Sequence, residues 1–155
     1  MQQTKKLALS GIAIAIYIVL MYFTQSFSFG QYQIRLATGL YSLAYQFPFL
    51  CVSLGLANML SNILFSGDLI NGIFGFVAGT LTCVSICLLK KITTSKIILV
   101  VPIALIPSLI IPIWLSRTLQ VPYFLLVVSL LVGQIISAYT MGMLILSITE
   151  RMKLR

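Results

Sequence analysis

The chain has 155 residues, of which 60% are hydrophobic and 8% charged, with a net charge of +8. A soluble domain carries about a quarter of its residues as charges, so this composition predicts an all-α integral membrane protein, a multi-pass protein of the cell membrane. Each crossing takes roughly 20 apolar residues, so about six crossings use nearly the whole chain as one domain, 1–155, and exclude a soluble catalytic domain.

The first apolar run, 7–24, follows Lys5 and Lys6 and imitates the core of a signal peptide. It is longer than such cores, more membrane-type sequence follows, and no small-x-small cleavage site is evident, so it is expected to stay as the first helix. Further apolar runs lie at 34–45, 47–65, 69–89, 97–116 and 121–148. A single helix over 35–65 would be about 46 Å long at 1.5 Å per residue, against a hydrocarbon core of about 30 Å. Pro48 suits the first turn of a new helix. A break there gives a bundle of six transmembrane helices, the second one short.

Charge agrees with that count. With six helices, Lys5, Lys6, Lys90, Lys91, Lys96, Arg151, Lys153 and Arg155 fall on one side, and only Arg35 and Arg117 on the other. Five helices put the Lys5–Lys6 pair on the wrong side. The positive-inside rule therefore predicts both termini to be cytoplasmic, with outward loops at 25–33, 66–68 and 117–120. Because the basic residues are confined to loops and tails, no long face exists to neutralise phosphates, and nucleic acid is not expected as a partner.

Intramembrane catalysis needs histidines, a serine base or clustered aspartates. This chain has no histidine, and its two acids are Asp68 and Glu150, one in a loop and one in the basic tail. Neither sits mid-membrane, where a proton-coupled carrier keeps its carboxylate. An enzyme and a proton-driven exporter are both disfavoured, and no metal or cofactor is expected. Cys51, Cys83 and Cys87 lie in apolar stretches. Cys83 and Cys87 share a helix face, but without histidine or a nearby acid they are read as small packing residues, with no disulfide. Gly11 with Ala15, Gly75 with Gly79, and Ala138 with Gly142 fit the small-xxx-small pattern, which serves packing within the chain or against a partner.

The remaining polar groups are Gln31, Gln33, Arg35, Thr38, Tyr41, Asn58, Asn62, Asn71, Tyr123 and Gln134. Unpaired amides in hydrocarbon are costly, so these side chains are expected to face the interior. Each alone suits helix-to-helix bonding. Gathered toward the outer half, with Gln134 nearer the middle, they read as the lining of an outward-facing cavity. Gln31, Gln33 and Arg35 alternate with Tyr32 and Ile34, so an extended segment would turn all three to one face, as a lid over that cavity with Arg35 at the foot of helix 2.

The stretches LSGIAIAIYIVL, FSFGQYQIRLATGL and NILFSGDLINGIFG resemble the queuosine-precursor transporter (QueT) family, substrate-binding S components of energy-coupling factor (ECF) transporters. The similarity is firmest over 7–79. It implies a six-helix subunit that captures a small micronutrient from outside, a purine-like or 7-deazaguanine queuosine precursor. It also implies association with a shared ECF membrane subunit and two ATPase subunits, with Gly11 and Ala15 on the docking face of helix 1. The implied substrate-binding residues are Gln31, Gln33, Arg35, Thr38, Asn62, Asn71, Tyr123 and Gln134. Gln33 and Arg35 match the family's Gln and Arg. Ala37-Thr38 stands where the family has Ser-Glu, Asn71 where it has Asp, and Gly133-Gln134 where a Gly-Glu is often found. Each departure removes a carboxylate, so a strongly cationic ligand is not expected. The competing readings are a small helical scaffold or assembly subunit and a homodimeric secondary carrier.

Overall fold

A computed structural model of the chain describes residues 2–29, 33–93 and 95–151. The regular structure among those residues is all helical, with no strand. The order is α1 (Gln3–Phe23), a single turn α2 (Gln25–Ser28), a 3-10 helix (Leu36–Tyr45), a 3-10 turn (Pro48–Leu50), α3 (Cys51–Ser66), α4 (Leu69–Ile92), a 3-10 turn (Lys96–Leu99), α5 (Val100–Leu119), α6 (Tyr123–Ser137), a π turn (Ala138–Gly142) and α7 (Met143–Arg151). Five of these units are long and apolar enough to cross a membrane: Gln3–Phe23, Pro48–Ser66, Leu69–Ile92, Lys96–Leu119 and Tyr123–Thr149. The protein is a multi-pass membrane protein.

The second apolar run departs from the expected short α-helix. It is wound as a 3-10 helix from Leu36 to Tyr45 and forms the axis of the molecule, packed against α1, α3, α4, α5 and the last helix. Seven of its ten residues are buried: Ala37, Thr38, Gly39, Leu40, Tyr41, Ser42 and Ala44. Tighter winding makes it narrower, and a 2.0 Å rise carries ten residues about 20 Å rather than about 15 Å. The small residues at 37, 39, 42 and 44 let the surrounding helices close on it.

Two features show how tightly they close. A Cβ on Gly39 would lie 2.6 Å from the Met141 Cβ and 2.9 Å from the Gly142 nitrogen, and one on Gly79 would lie 2.9 Å from the Tyr41 hydroxyl. Opposite Gly39, the last helix carries its π turn. One extra residue in that turn changes the facing of everything after it. Gln134 and Leu146 would sit about 120° apart on a regular helix at 100° per residue, and the π turn reduces this to about 20°. Both are buried.

The ends of the bundle differ in chemistry. Lys90 Nζ donates to the Tyr45 carbonyl at 2.6 Å, and Lys6 Nζ lies 5.8 Å from the centre of the Phe49 ring. Basic residues from α1 and α4 therefore meet at the turn around Pro48, where the predicted break falls. At the opposite end, Gly67 (φ 66°) closes α3 and Asp68 caps α4, accepting from the Ile70 and Asn71 backbone nitrogens at 2.9 and 3.2 Å. Its other oxygen accepts from Trp114 Nε1 at 2.6 Å, tying this loop to α5. The indole bond, followed by the two backbone bonds, holds the Asp68 carboxyl below its usual range. Asp68 thus serves the fold as an ionised cap.

The thiols of Cys51, Cys83 and Cys87 are free. Cys51 Sγ is 3.6 Å from Cys87 Sγ, and Cys87 also reaches the Ala44 carbonyl at 3.4 Å. The contact that forms is thus between helices rather than along α4. Among the described residues no cluster of His, Cys, Asp or Glu fits a metal ion.

Candidate functional site

The start of the central 3-10 helix places a cation in the interior. Arg35 is the largest completely buried side chain, at 0% exposure. Its guanidinium is held on three sides: Nε donates to the Ser28 carbonyl at 3.2 Å, Nη1 donates to Asn62 Oδ1 at 3.1 Å, and the Phe29 ring centre lies 5.1 Å away. The fork geometry of arginine uses separate N–H groups for each acceptor. Nη2 has no partner.

Asn62 relays this anchor across the bundle. Its Nδ2 lies 3.1 Å from Asn58 Oδ1 and 3.4 Å from the Asn71 carbonyl, while Asn58 Nδ2 donates to the Gly75 carbonyl at 2.9 Å. A Cβ at Gly75 would strike Asn62 Nδ2. The Gly75–Gly79 pair therefore serves packing inside the chain, since Gly79 likewise makes room for Tyr41. Tyr41 and Tyr17 bring their hydroxyls to 3.3 Å, with ring centres 6.0 Å apart.

On the far side, Thr38 links the 3-10 helix to α6. Its Oγ1 lies 2.7 Å from the Arg35 carbonyl and 2.6 Å from Gln134 Oε1. A hydroxyl has one proton to give. When it goes to the Arg35 carbonyl, the Gln134 amide turns its NH₂ to Thr38. In either orientation one end of the Gln134 amide lacks a partner.

Three residues of this network, Arg35, Asn71 and Gln134, and Gln33 two places before Arg35, end in buried atoms with no hydrogen-bond partner: Gln33 Oε1, Arg35 Nη2, Asn71 Oδ1 and Gln134 Nε2. Their residues are 2%, 0%, 3% and 0% exposed. Each such group costs about 1–3 kcal/mol, and native interiors hold only a few per hundred residues. Ser42 Oγ and Thr80 Oγ1 are the other such atoms among the described residues. Three of the four residues named first are amides, and the fourth is the buried Arg35. Open clefts occur elsewhere, beside Lys6 and Phe49 and along the apolar seam of α4 and α5, away from these polar groups.

A family model for the QueT transporter matches residues 7–151. The chain belongs to the QueT transporter family. No curated protein and no solved structure matches it. The match covers four of the five long helices in full and the first from residue 7 onward, so the membrane architecture and the transporter assignment concern the same segment.

In this QueT-family protein the predicted residues are distributed unevenly. Gln33, Arg35, Thr38, Asn62, Asn71 and Gln134 are all buried. Arg35, Thr38, Asn62, Asn71 and Gln134 are joined by the contacts above, and Gln33 stands two residues before Arg35 in the chain. Gln31 lies outside the described residues. Tyr123 stands apart: it is 42% exposed and donates to the Leu109 carbonyl at 2.9 Å, tying α6 to α5. An aromatic at the start of a membrane helix has an amphipathic boundary position available, and Tyr123 takes it. Gln33 also corrects the expected extended segment. Its φ of 40° is left-handed, so the chain turns at that residue, and Gln33 and Arg35 reach the interior by a bend rather than by simple alternation.

Several contributors carried no sequence signal. The Ser28 carbonyl is backbone, and Phe29 is one of nine phenylalanines. Ser66, whose Oγ lies 3.4 Å from Asn71 Nδ2, is a serine at a helix end like any other. Gly11 and Ala15 are exposed on α1, and a Cβ at Gly11 would meet nothing within 4 Å. Only 17% of the α1 span is buried, against 33–44% for the other four.

Proposed function

We propose that this protein is the S component of an ECF-type importer, capturing a purine-like or 7-deazaguanine queuosine precursor from outside the cell. The observation that carries this is the set of buried, unpartnered polar ends on Arg35, on Gln33 two places before it, and on Asn71 and Gln134, which join it through Asn62 and Thr38, away from Lys6 and Lys90. Amides at 33, 71 and 134 each present both donor and acceptor chemistry, which suits the lactam and aminopyrimidine edges of such a base. Purified protein should gain thermal stability from guanine or the nitrile-bearing deazaguanine, by about 2.7 kcal/mol when ligand exceeds Kd a hundredfold. A protein indifferent to every such base would be a scaffold rather than a receptor.

Six crossings with cytoplasmic termini complete the proposal. The central 3-10 helix starts beside Asn62 and ends beside Lys90, and with the residues that flank it this helix is our proposed sixth crossing. Positive charge then lies inside. A membrane-impermeant thiol reagent applied from outside should label Leu69→Cys and not Ser95→Cys, in a background where the native cysteines are replaced. Labelling of Ser95→Cys alone would invert the topology.

The exposed Gly11–Ala15 face of α1 is the proposed dock for the shared ECF membrane subunit, which would work with two ATPase subunits. Close helix approach tolerates no large side chain there. Gly11→Leu or Ala15→Leu should reduce co-purification with the coupling subunits at least tenfold while leaving ligand affinity within twofold. Unchanged assembly in both variants would move the dock elsewhere. A stable homodimer that transports alone in vesicles would make the protein a secondary carrier.

A further inference from the structure

Arg35 is a permanent cation, and among the described residues no acid is bonded to it. The described groups that touch it or join it through hydrogen bonds are uncharged: the Ser28 carbonyl, Phe29 and Asn62 directly, Asn58 and the Asn71 carbonyl through Asn62, and Thr38 and Gln134 through the Arg35 carbonyl, with the Tyr17–Tyr41 pair nearby. The chain has two acids. Asp68 is engaged by the α4 N-terminus and by Trp114. Glu150 belongs to α7, sixteen residues beyond Gln134, or about 24 Å at 1.5 Å per residue.

A buried charge without a counter-charge is strongly unfavourable, and a well-placed, hydrogen-bonded partner of opposite sign offsets that cost. Arg35 has spent Nε and Nη1 on neutral acceptors and keeps Nη2 open. We infer that the site takes an anionic planar heterocycle, whose negatively charged oxygen meets Arg35 Nη2 while its ring N–H and C=O edges meet Gln33, Asn71 and Gln134. This rests on the receptor function proposed above and adds to it the sign of the ligand's charge. The required order of affinity is anion above neutral base above cation. Two chemistries can supply the oxygen: a carboxylate substituent on the ring system, or a ring oxygen made anionic by loss of a ring proton.

Calorimetry on the full chain in detergent or nanodiscs separates them. A charge series on one scaffold uses 7-deazaguanine bearing carboxylate, nitrile or aminomethyl. A second pair, xanthine and guanine, is followed as pH rises through the ring ionisation of xanthine. The carboxylate compound should bind at least tenfold tighter than the nitrile, and the aminomethyl compound weakest, if the oxygen belongs to a substituent. Xanthine should tighten with pH at least tenfold while guanine stays level, if it belongs to the ring. Either result supports an anionic ligand. In Arg35→Gln the preference should vanish, and in Arg35→Lys it should persist. Thr38→Glu, which adds a carboxylate at the position bonded to the Arg35 carbonyl and to Gln134, should reverse the order toward the amine, and it serves where Arg35→Gln does not fold. Neutral bases that bind as tightly as both anions would overturn the inference and leave the receptor function standing. No binding by any of the five compounds would overturn both.

Discussion

Gly39→Val is expected to cost this protein about 3 kcal/mol of stability or more, at the upper end of what overpacking a filled interior does, and to abolish ligand-dependent stabilisation. The atoms that a Cβ at Gly39 would meet are the Met141 Cβ at 2.6 Å, the Gly142 nitrogen at 2.9 Å and the Met141 carbonyl carbon at 3.0 Å. Two of these are backbone and the third is fixed to it, so no rotamer change relieves the clash. The strain must push the last helix off the central 3-10 helix. That displacement reaches Gln134 and Thr38, which lie on the two elements and touch at 2.6 Å. Gly11→Val is the contrasting case, because a Cβ there meets nothing within 4 Å. Thermal unfolding of both purified variants, with and without nitrile-bearing deazaguanine, measures the difference. A Gly39→Val protein as stable as the parent would mean that the two helices are not in contact.

Arg35→Ala should weaken ligand binding by about one to two powers of ten, from loss of a charge-assisted hydrogen bond of about 1.5–3 kcal/mol. The change also strips the Ser28 carbonyl and Asn62 Oδ1 of their donor, so part of the loss is structural. Asn62→Ala separates the two. It removes the brace under Nη1 without touching Nη2, and should cost binding less than Arg35→Ala does. Residues within one network couple by about 0.5–3 kcal/mol, so the double variant should lose less than the sum of the two singles. Strict additivity, measured by calorimetry across the four proteins, would show that Asn62 does not position Arg35.

The membrane class, the five long helices and the break at Pro48 follow from composition and spacing, because hydrocarbon leaves the chain little choice. Apolar runs must span, and Pro48 takes the first turn of its helix, where a missing N–H costs nothing. Pro107 and Pro112 continue inside α5, so run length as well as proline placed the break. The same cost of unpaired polar groups made Gln33, Arg35, Thr38, Asn62, Asn71 and Gln134 legible as interior residues before any contact was known. The tertiary structure decided what burial alone could not. The 3-10 winding of Leu36–Tyr45 has no periodic signature that separates it from an α-helix over ten residues, and it arises where several helices crowd onto one axis. The π turn at Ala138–Gly142 lies against Gly39, a contact just over a hundred residues away in sequence, and it decides that Gln134 and Leu146 share a face. Tyr123 looked no less suited to the site than Gln134, yet it sits at the surface because its hydroxyl finds the Leu109 carbonyl there. Polarity told the sequence which side chains must leave the lipid; only packing told it which of them meet, and that Arg35, bonded to a backbone carbonyl and an amide, is left with its charge unmatched.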